Sequence, residues 1–239
     1  MPGPSAPYPA LSDVLNAART RVNDSIVSIG GQTLTNNAAF TPVITNLGWQ
    51  KLQQELVSLG APRVLITNYI LPNVPPVNNE DASLQVTLSW TGYNNGVNPN
   101  TSIVLPQNMI KPTKLSERPT QAAPNIAPFI DLDGPEQGIT VIPALPKGNR
   151  NQIWLWNNDQ INMPGALVPT DIKMDYAGYL PDFTTSPFPG TQTVPILRSQ
   201  PALSAWIAWA FCVPRGDLDT GLFLQEAQDE TKVLAGVRP

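Results

Sequence analysis

The chain has 239 residues, enough for one large domain or two small ones with a full hydrophobic core. It contains no histidine and one cysteine, Cys212, which excludes Ser-His-Asp triads, Cys-His dyads, His-containing metal sites and an intrachain disulfide. Its net charge of -4, without a basic run, argues against a nucleic-acid-binding surface. What remains is an interaction protein or an enzyme that works with carboxylates.

Only 13% of the residues are charged, about half the usual share, and this composition favours a subunit covered by its neighbours. The sequence begins with neither a basic segment nor an apolar run, and no apolar stretch approaches the ~20 residues of a membrane span. We therefore expect a soluble protein made in a cytoplasm, with no membrane partner.

Two helices are predicted near the start of the chain. Apolar residues recur every three or four positions from Leu11 to Ile29, with Ser12 as a candidate N-cap and Gly30-Gly31 as the stop. A second helix begins at Thr41-Pro42, read as a cap followed by a first-turn proline, and ends at Gly60.

The middle of the chain changes to the two-residue period and β-branched runs of strands. Turn signals lie at Asn94-Asn95-Gly96 and at Asn157-Asn158, where a tight hairpin is expected. The predicted strands are Arg63 to Leu71, Leu84 to Tyr93, Ser102 to Leu105, Ile139 to Ile142, Gln152 to Trp156, Gln160 to Met163 and Ile172 to Tyr179.

Two segments rich in proline and polar residues, Asn73 to Asn79 and Lys111 to Pro128, are predicted to be long loops. The second loop is expected to be an arm that is mobile in a free subunit and lies along a neighbouring subunit in an assembly. Lys111, Pro112 and Pro119 are therefore candidate interaction residues.

The helical period returns after Arg198. Leu203, Trp206, Ile207, Ala210 and Phe211 share one face of a helix that Pro214 ends, and Trp206 and Trp209 are further candidate interaction residues. A last helix is predicted from Asp217 to Leu234, with its apolar face formed by Leu218, Leu222 and Leu224.

These elements predict an α+β fold, in which a β-sandwich or barrel-like insertion is bracketed by two helix pairs that pack as a small helical bundle. The predicted segments are an N-terminal helical pair at 1–61, a β-rich domain at 62–198 and a C-terminal helical pair at 199–239. The two helical pairs together form one domain.

The carboxylates offer two chemical hypotheses. Asp131 and Asp133, before Gly134 and with Glu136 nearby, resemble part of a calcium loop, although a solvated turn is the simpler interpretation. A glycosidase pair could come from the four acids Asp159, Asp171, Asp175 and Asp182. We predict no catalytic residue, no metal site and no cofactor.

Trp154 and Trp156 are spaced to share one face of a strand, where they could form a carbohydrate platform, a core or a subunit contact. Arg215-Gly216-Asp217 is the tripeptide that integrins bind, but its position between two helices favours a break and a cap. Cys212 is predicted to be a small buried hydrophobe.

The segment from Gln152 to Leu180 resembles a pattern in bacteriophage structural proteins, a tryptophan-bearing hairpin that continues through Met163-Pro164-Gly165-Ala166 into Asp171 to Pro181. As in that pattern, a short strand at Val194-Pro195-Ile196 and an alanine-rich aromatic helix with a Pro-Arg-Gly-Asp exit follow. The order of helix pair, β insertion and helix pair is similar to that of the head-to-tail adaptors, or connectors, of short-tailed phages.

This resemblance implies a non-enzymatic virion subunit, assembled in the host cytoplasm, in a dodecameric ring under the portal. Its partners would be other copies of itself, the portal protein and the tail nozzle or other neck proteins, with DNA as a passing contact in the lumen. The alternatives are another virion protein, such as a tail, head-completion or capsid-decoration component, and a carbohydrate-binding β protein.

Overall fold

The computed structural model describes residues 8–22, 40–77, 85–94, 100–120, 128–143, 148–186, 188–215 and 219–237. The chain divides into two compact units. The helical unit comprises Met1–Arg63 with Tyr179–Pro239, and the β unit comprises Val64–Gly178. Among the described helices, none is long and apolar enough to cross a membrane.

The helical unit is built around one buried helix. Its helices are α1 (Leu11–Arg21), α2 (Phe40–Ser58), α3 (Gln200–Cys212) and α4 (Thr220–Ala235). Because α1, α2 and α4 all pack against α3, nearly every side chain of α3 is buried rather than only one face. The predicted packing of the two terminal helix pairs is therefore confirmed.

The boundaries of these helices differ from the predicted ones where tertiary contacts intervene. Helix α1 has its N-cap at Ala10 rather than Ser12, since Ala10 is held by a bridge to Thr193. Helix α2 begins at Phe40, so Thr41 lies in its first turn instead of capping it. The predicted end of α1 near Ile29 lies outside the described residues.

The predicted apolar face of α4 was wrong at one position. Leu222 is 67% exposed, whereas Ala227 and Thr231 are buried. The core side of α4 also carries Phe223, Leu224, Leu234 and Ala235. Leu218, assigned to the same face by the sequence, lies outside the described residues.

The β unit contains two four-stranded antiparallel sheets whose inner side chains share one hydrophobic core. The first sheet has the order β1-β8-β4-β5 and the second has the order β3-β2-β7-β6. Their strands are β1 (Leu65–Val74), β2 (Val86–Ser89), β3 (Gly92–Asn94), β4 (Met109–Pro119), β5 (Ile130–Asp131), β6 (Leu155–Asn157), β7 (Gln160–Met163) and β8 (Thr170–Gly178).

The first half of the predicted arm is instead part of a strand. Residues Met109–Pro119 form β4, which pairs with β8 on one side and β5 on the other. Pro112 is tolerated inside the sheet because it lies between two register shifts, where the regular hydrogen-bond ladder is interrupted. The prediction of a free arm was therefore wrong for residues 111–119. Residues 121–127 of the predicted arm lie outside the described residues.

Other strands also differ from the sequence prediction. The run from Leu84 to Tyr93 is broken by a turn at Trp90 and Thr91 into β2 and β3. The segments Ser102 to Leu105 and Ile139 to Ile142 form no strand in the described chain, although Leu105 and Ile142 are buried. Leu105 and Ile142 are therefore buried as loop residues and not as members of paired strands.

The hairpin of β6 and β7 is confirmed, with Asn158 and Asp159 at its turn. Both residues have positive φ angles, 49° and 59°, as a type I′ turn requires. At the other predicted turn, Tyr93 bridges Asn100, and Asn95-Gly96 lie outside the described residues.

Residues 179–198, placed by the sequence in the β-rich domain, belong instead to the helical unit. The rings of Trp49 and Phe183 pack in a tilted arrangement with centroids 5.3 Å apart, and Val194 and Ile196 join the helical core. The boundary moves because α2 provides both an apolar surface and hydrogen-bond partners for this returning segment.

Candidate interaction surfaces

The structure does not bring Trp154 and Trp156 together as an exposed pair. Trp154 is 3% exposed and lies just before β6, in the core of the β unit. Trp156 is half-buried and packs edge to face on Trp90, with ring centroids 5.8 Å apart. This placement does not provide the open aromatic platform that a sugar-binding surface needs.

The three candidates on β4 have separate environments. Lys111 is exposed, Pro112 is buried beside Tyr176 in the register, and Pro119 is half-buried opposite Thr170. Because all three belong to a central strand, they are held within the β unit. Their proximity therefore reflects strand pairing rather than an extended arm.

Trp206 and Trp209 lie one turn apart on α3, with their rings edge to face at 5.4 Å. Trp206 is buried, and its Nε1 donates a hydrogen bond to Thr231 Oγ1 at 2.9 Å. Trp209 is half-buried. Cys212 is also buried in this core. The Trp206 side chain therefore connects α3 to α4.

Asp131 and Asp133 are both exposed, and the carboxylate of Asp131 has two partners on β4. Lys114 Nζ lies 2.8 Å from Asp131 Oδ2, and Ser116 donates to Asp131 Oδ1 at 2.7 Å. The hydrogen bond from Lys114 and then that from Ser116 lower the pKa of Asp131. In the described part of the chain, no three acidic or cysteine side chains group closely enough to hold a metal ion.

Two of the four acids considered for glycosidase chemistry support bulges in β1. Asp175 Oδ1 accepts the backbone N–H of Asn68 at 2.8 Å, and Asp171 Oδ1 accepts that of Asn73 at 3.0 Å. Asn68 and Asn73 have positive φ angles and lie at the register shifts of β1. These carboxylates therefore satisfy backbone groups that strand pairing leaves free.

Asp171 also accepts hydrogen bonds from Arg118 Nε at 3.1 Å and Thr120 Oγ1 at 2.9 Å. Burial raises the pKa of this carboxyl, but the hydrogen bonds from Asn73, Thr120 and Arg118 outweigh it and leave the pKa below its usual range. Of the remaining two acids, Asp159 lies in the hairpin turn and Asp182 accepts from Gln50. Asp171, Asp175 and Asp182 therefore accept hydrogen bonds from neighbouring parts of the fold.

A buried carboxylate that the sequence did not single out joins distant parts of the β unit. Glu117, on β4, is 1% exposed. Its oxygens accept hydrogen bonds from the Asn151 backbone at 2.9 Å, the Asn151 side chain at 2.7 Å and Arg150 Nε at 3.3 Å. Asn151 Oδ1 accepts from Gly165 N at 3.0 Å, which extends the network beyond β7.

A row of polar side chains on α2 holds the segment that follows β8. Asn46 both donates to and accepts from the backbone of Phe183, at 3.1 and 2.9 Å. Trp49 Nε1 donates to Pro181 O at 3.1 Å, and Gln53 Oε1 accepts from Leu180 N at 2.5 Å. These contacts fix an extended segment along a helix without strand pairing, and no sequence motif marks them.

Two helices present apolar side chains to solvent. On α2, Val43 is 62% exposed, and Leu47 and Lys51 follow on the same side at four-residue intervals. We call these three residues the α2 stripe. On α4, the α4 stripe consists of Leu222, Glu226, Asp229, Glu230 and Val233, with Val233 61% exposed. Both stripes lie opposite the sides that pack on α3.

Comparison of the sequence with known protein families and with curated proteins found no match. The Arg215-Gly216-Asp217 tripeptide falls mainly outside the described residues.

Proposed function

We propose that this chain is a structural subunit of a bacteriophage neck, a head-to-tail adaptor. Copies of it would form a ring under the portal and join the capsid vertex to the tail, with DNA passing through the lumen. The observation that carries the proposal is the chain order, in which helices from both ends pack in one unit and a β unit is inserted between them.

Two further features support an assembled subunit. Low charge, at 13% of the residues, and exposed apolar side chains on α2 and α4 suit a surface that is covered in an assembly. The resemblance of the segment from Gln152 to Leu180 to phage structural proteins points to the same class. The acidic balance suits a lumen that does not retain DNA.

The proposal is tested by mixing the purified protein with the purified portal of the same phage and measuring the native mass. We expect a ring, dodecameric by the resemblance, that is bound to the portal and absent from a mixture with an unrelated portal. A protein that stays monomeric and does not sediment with its portal would contradict the adaptor assignment. Binding to isolated tails alone would instead indicate another virion component.

A further inference from the structure

We infer that neighbouring copies of this chain associate head to tail, with the α4 stripe of one copy seated on the α2 stripe of the next. This inference rests on the proposed function, because a ring requires each subunit to carry two different surfaces that fit each other. It goes beyond that function by assigning the residues on the two surfaces.

Each stripe forms a continuous row along its helix. Val43, Leu47 and Lys51 span two turns of α2, about 12 Å along the axis, and Leu222 to Val233 span three turns of α4, about 16 Å. Residues three or four apart form a continuous row on a helix, so each stripe can lie along the other. The apolar members, Val43, Leu47, Leu222 and Val233, are exposed in the single chain.

The outer side of α4 carries an excess of negative charge. Three carboxylates lie on the outer side of α4, Glu226, Asp229 and Glu230. Arg21 pairs with Glu226 and Lys232 pairs with Asp229, so the three acids face two cations and one negative charge is left over. The apolar ends of the α4 stripe are therefore separated by an acidic centre.

The α2 stripe has the opposite character. Lys51 Nζ donates to the neutral side chain of Gln54 at 3.1 Å, and it has no carboxylate partner among the described residues. The α2 stripe has two exposed apolar side chains beside a cation that has no acidic partner among the described residues. The α4 stripe has two exposed apolar side chains and an excess of carboxylates, so the two surfaces complement each other. A second copy of this chain supplies the matching surface and is therefore the partner that binds the α2 stripe.

The test uses two variants of the full chain that each damage one surface. Val43→Asp places a charge in the α2 stripe, and Leu222→Asp places a charge at one apolar end of the α4 stripe. Because both positions are exposed, neither variant threatens the core. Each variant alone should need about tenfold or more protein to assemble, as measured by sedimentation velocity. Val141→Asp, at a position 70% exposed in the β unit, is the matched control and should assemble like the wild type.

Mixing the two variants gives the decisive result. Each retains one intact surface, so Val43→Asp and Leu222→Asp together should form a one-to-one dimer that does not grow. Contact between two α2 stripes or two α4 stripes would instead let one variant dimerise alone. Wild-type-like assembly of both single variants would overturn the inference while leaving the neck function in place, since the ring would then use other surfaces.

A charge exchange gives an independent readout. Lys51→Glu and Glu230→Lys should each weaken self-association, and the double variant should recover most of it, because the pair is restored with reversed sign. Failure of the double variant to recover, with both single variants folded by circular dichroism, would show that these two charges do not meet. Wild-type protein that remains monomeric both alone and with its portal would contradict both the proposed adaptor function and the head-to-tail contact.

Discussion

Glu117 shows how the β unit accommodates a fully buried charge. Its carboxylate receives hydrogen bonds from backbone and side-chain N–H groups of the segment around Asn151, so the cost of removing the charge from water is offset by several charge-assisted contacts. The same contacts attach β4 to the chain that leads into β6. We regard Glu117 as a positioning residue for the two sheets.

Replacing Glu117 with Gln should lower the free energy of unfolding by about 3 kcal/mol, because an amide NH2 would face the N–H donors that now bind the carboxylate. Urea unfolding followed by circular dichroism measures the loss. Glu136→Gln, which removes the same charge from an exposed side chain, is the control and should stay within about 0.5 kcal/mol of the wild type. Equal stability of both variants would show that the buried network contributes little.

Asp171 predicts a dependence of stability on pH. Its pKa is lowered in the folded protein, so its contribution is complete above the unfolded value of about 3.9 and is lost as the pH falls through the lower folded value. Asp171→Asn should therefore be less stable than the wild type near neutral pH, and the difference should shrink in acid. Thermal melts at several pH values measure this, and a constant difference from neutral to strongly acidic pH would refute it.

At the scale of elements, the crossing of α2 and α3 depends on a glycine. A Cβ added at Gly48 would lie 2.9 Å from the backbone nitrogen of Ile207. The close approach is between backbones, so a side-chain rotation cannot relieve it. The absence of a side chain at Gly48 therefore sets how closely the two helices pack.

Gly48→Ala should lower the free energy of unfolding by about 1–3 kcal/mol through overpacking. Gly221→Ala on α4, where no atom lies within 4 Å of the added Cβ, is the matched control, and it should raise stability by up to about 1 kcal/mol through helix propensity. Guanidinium unfolding of both variants measures the contrast. If Gly48→Ala proved as stable as the wild type, the helices would have to be free to separate.

At the scale of the whole molecule, the β unit is an insertion that starts and ends at one place. Val64 O accepts a hydrogen bond from Gly178 N at 3.0 Å, and the strands that follow and precede these residues pair from Leu65 and Ala177 onward. An insertion with adjacent ends leaves the helical unit able to close with helices from both termini. The ring proposal places the self-association surfaces in that helical unit.

The sequence predicted much of the architecture because its signals are local. The three- and four-residue spacing of apolar side chains gave four helices, the change to a two-residue period marked the β insertion, and Asn157-Asn158 marked the β6–β7 hairpin. The α+β class is confirmed. The candidate interaction residues were predicted from the sequence mainly because they are aromatic or lie in a predicted loop. The structure places two of them, Trp154 and Trp206, in the two hydrophobic cores.

What only the tertiary structure decided depends on residues far apart in the chain. Residues 111–119 are predicted to be part of a loop because of their prolines and polar side chains, but pairing with β8 and the bulges around Pro112 place them in a central strand. Ala10 became a helix cap through its bridge to Thr193, and Leu222 was left in solvent because other residues of α4 face α3. Local propensity cannot predict these outcomes, since each is determined by the partner that folding brings to the residue.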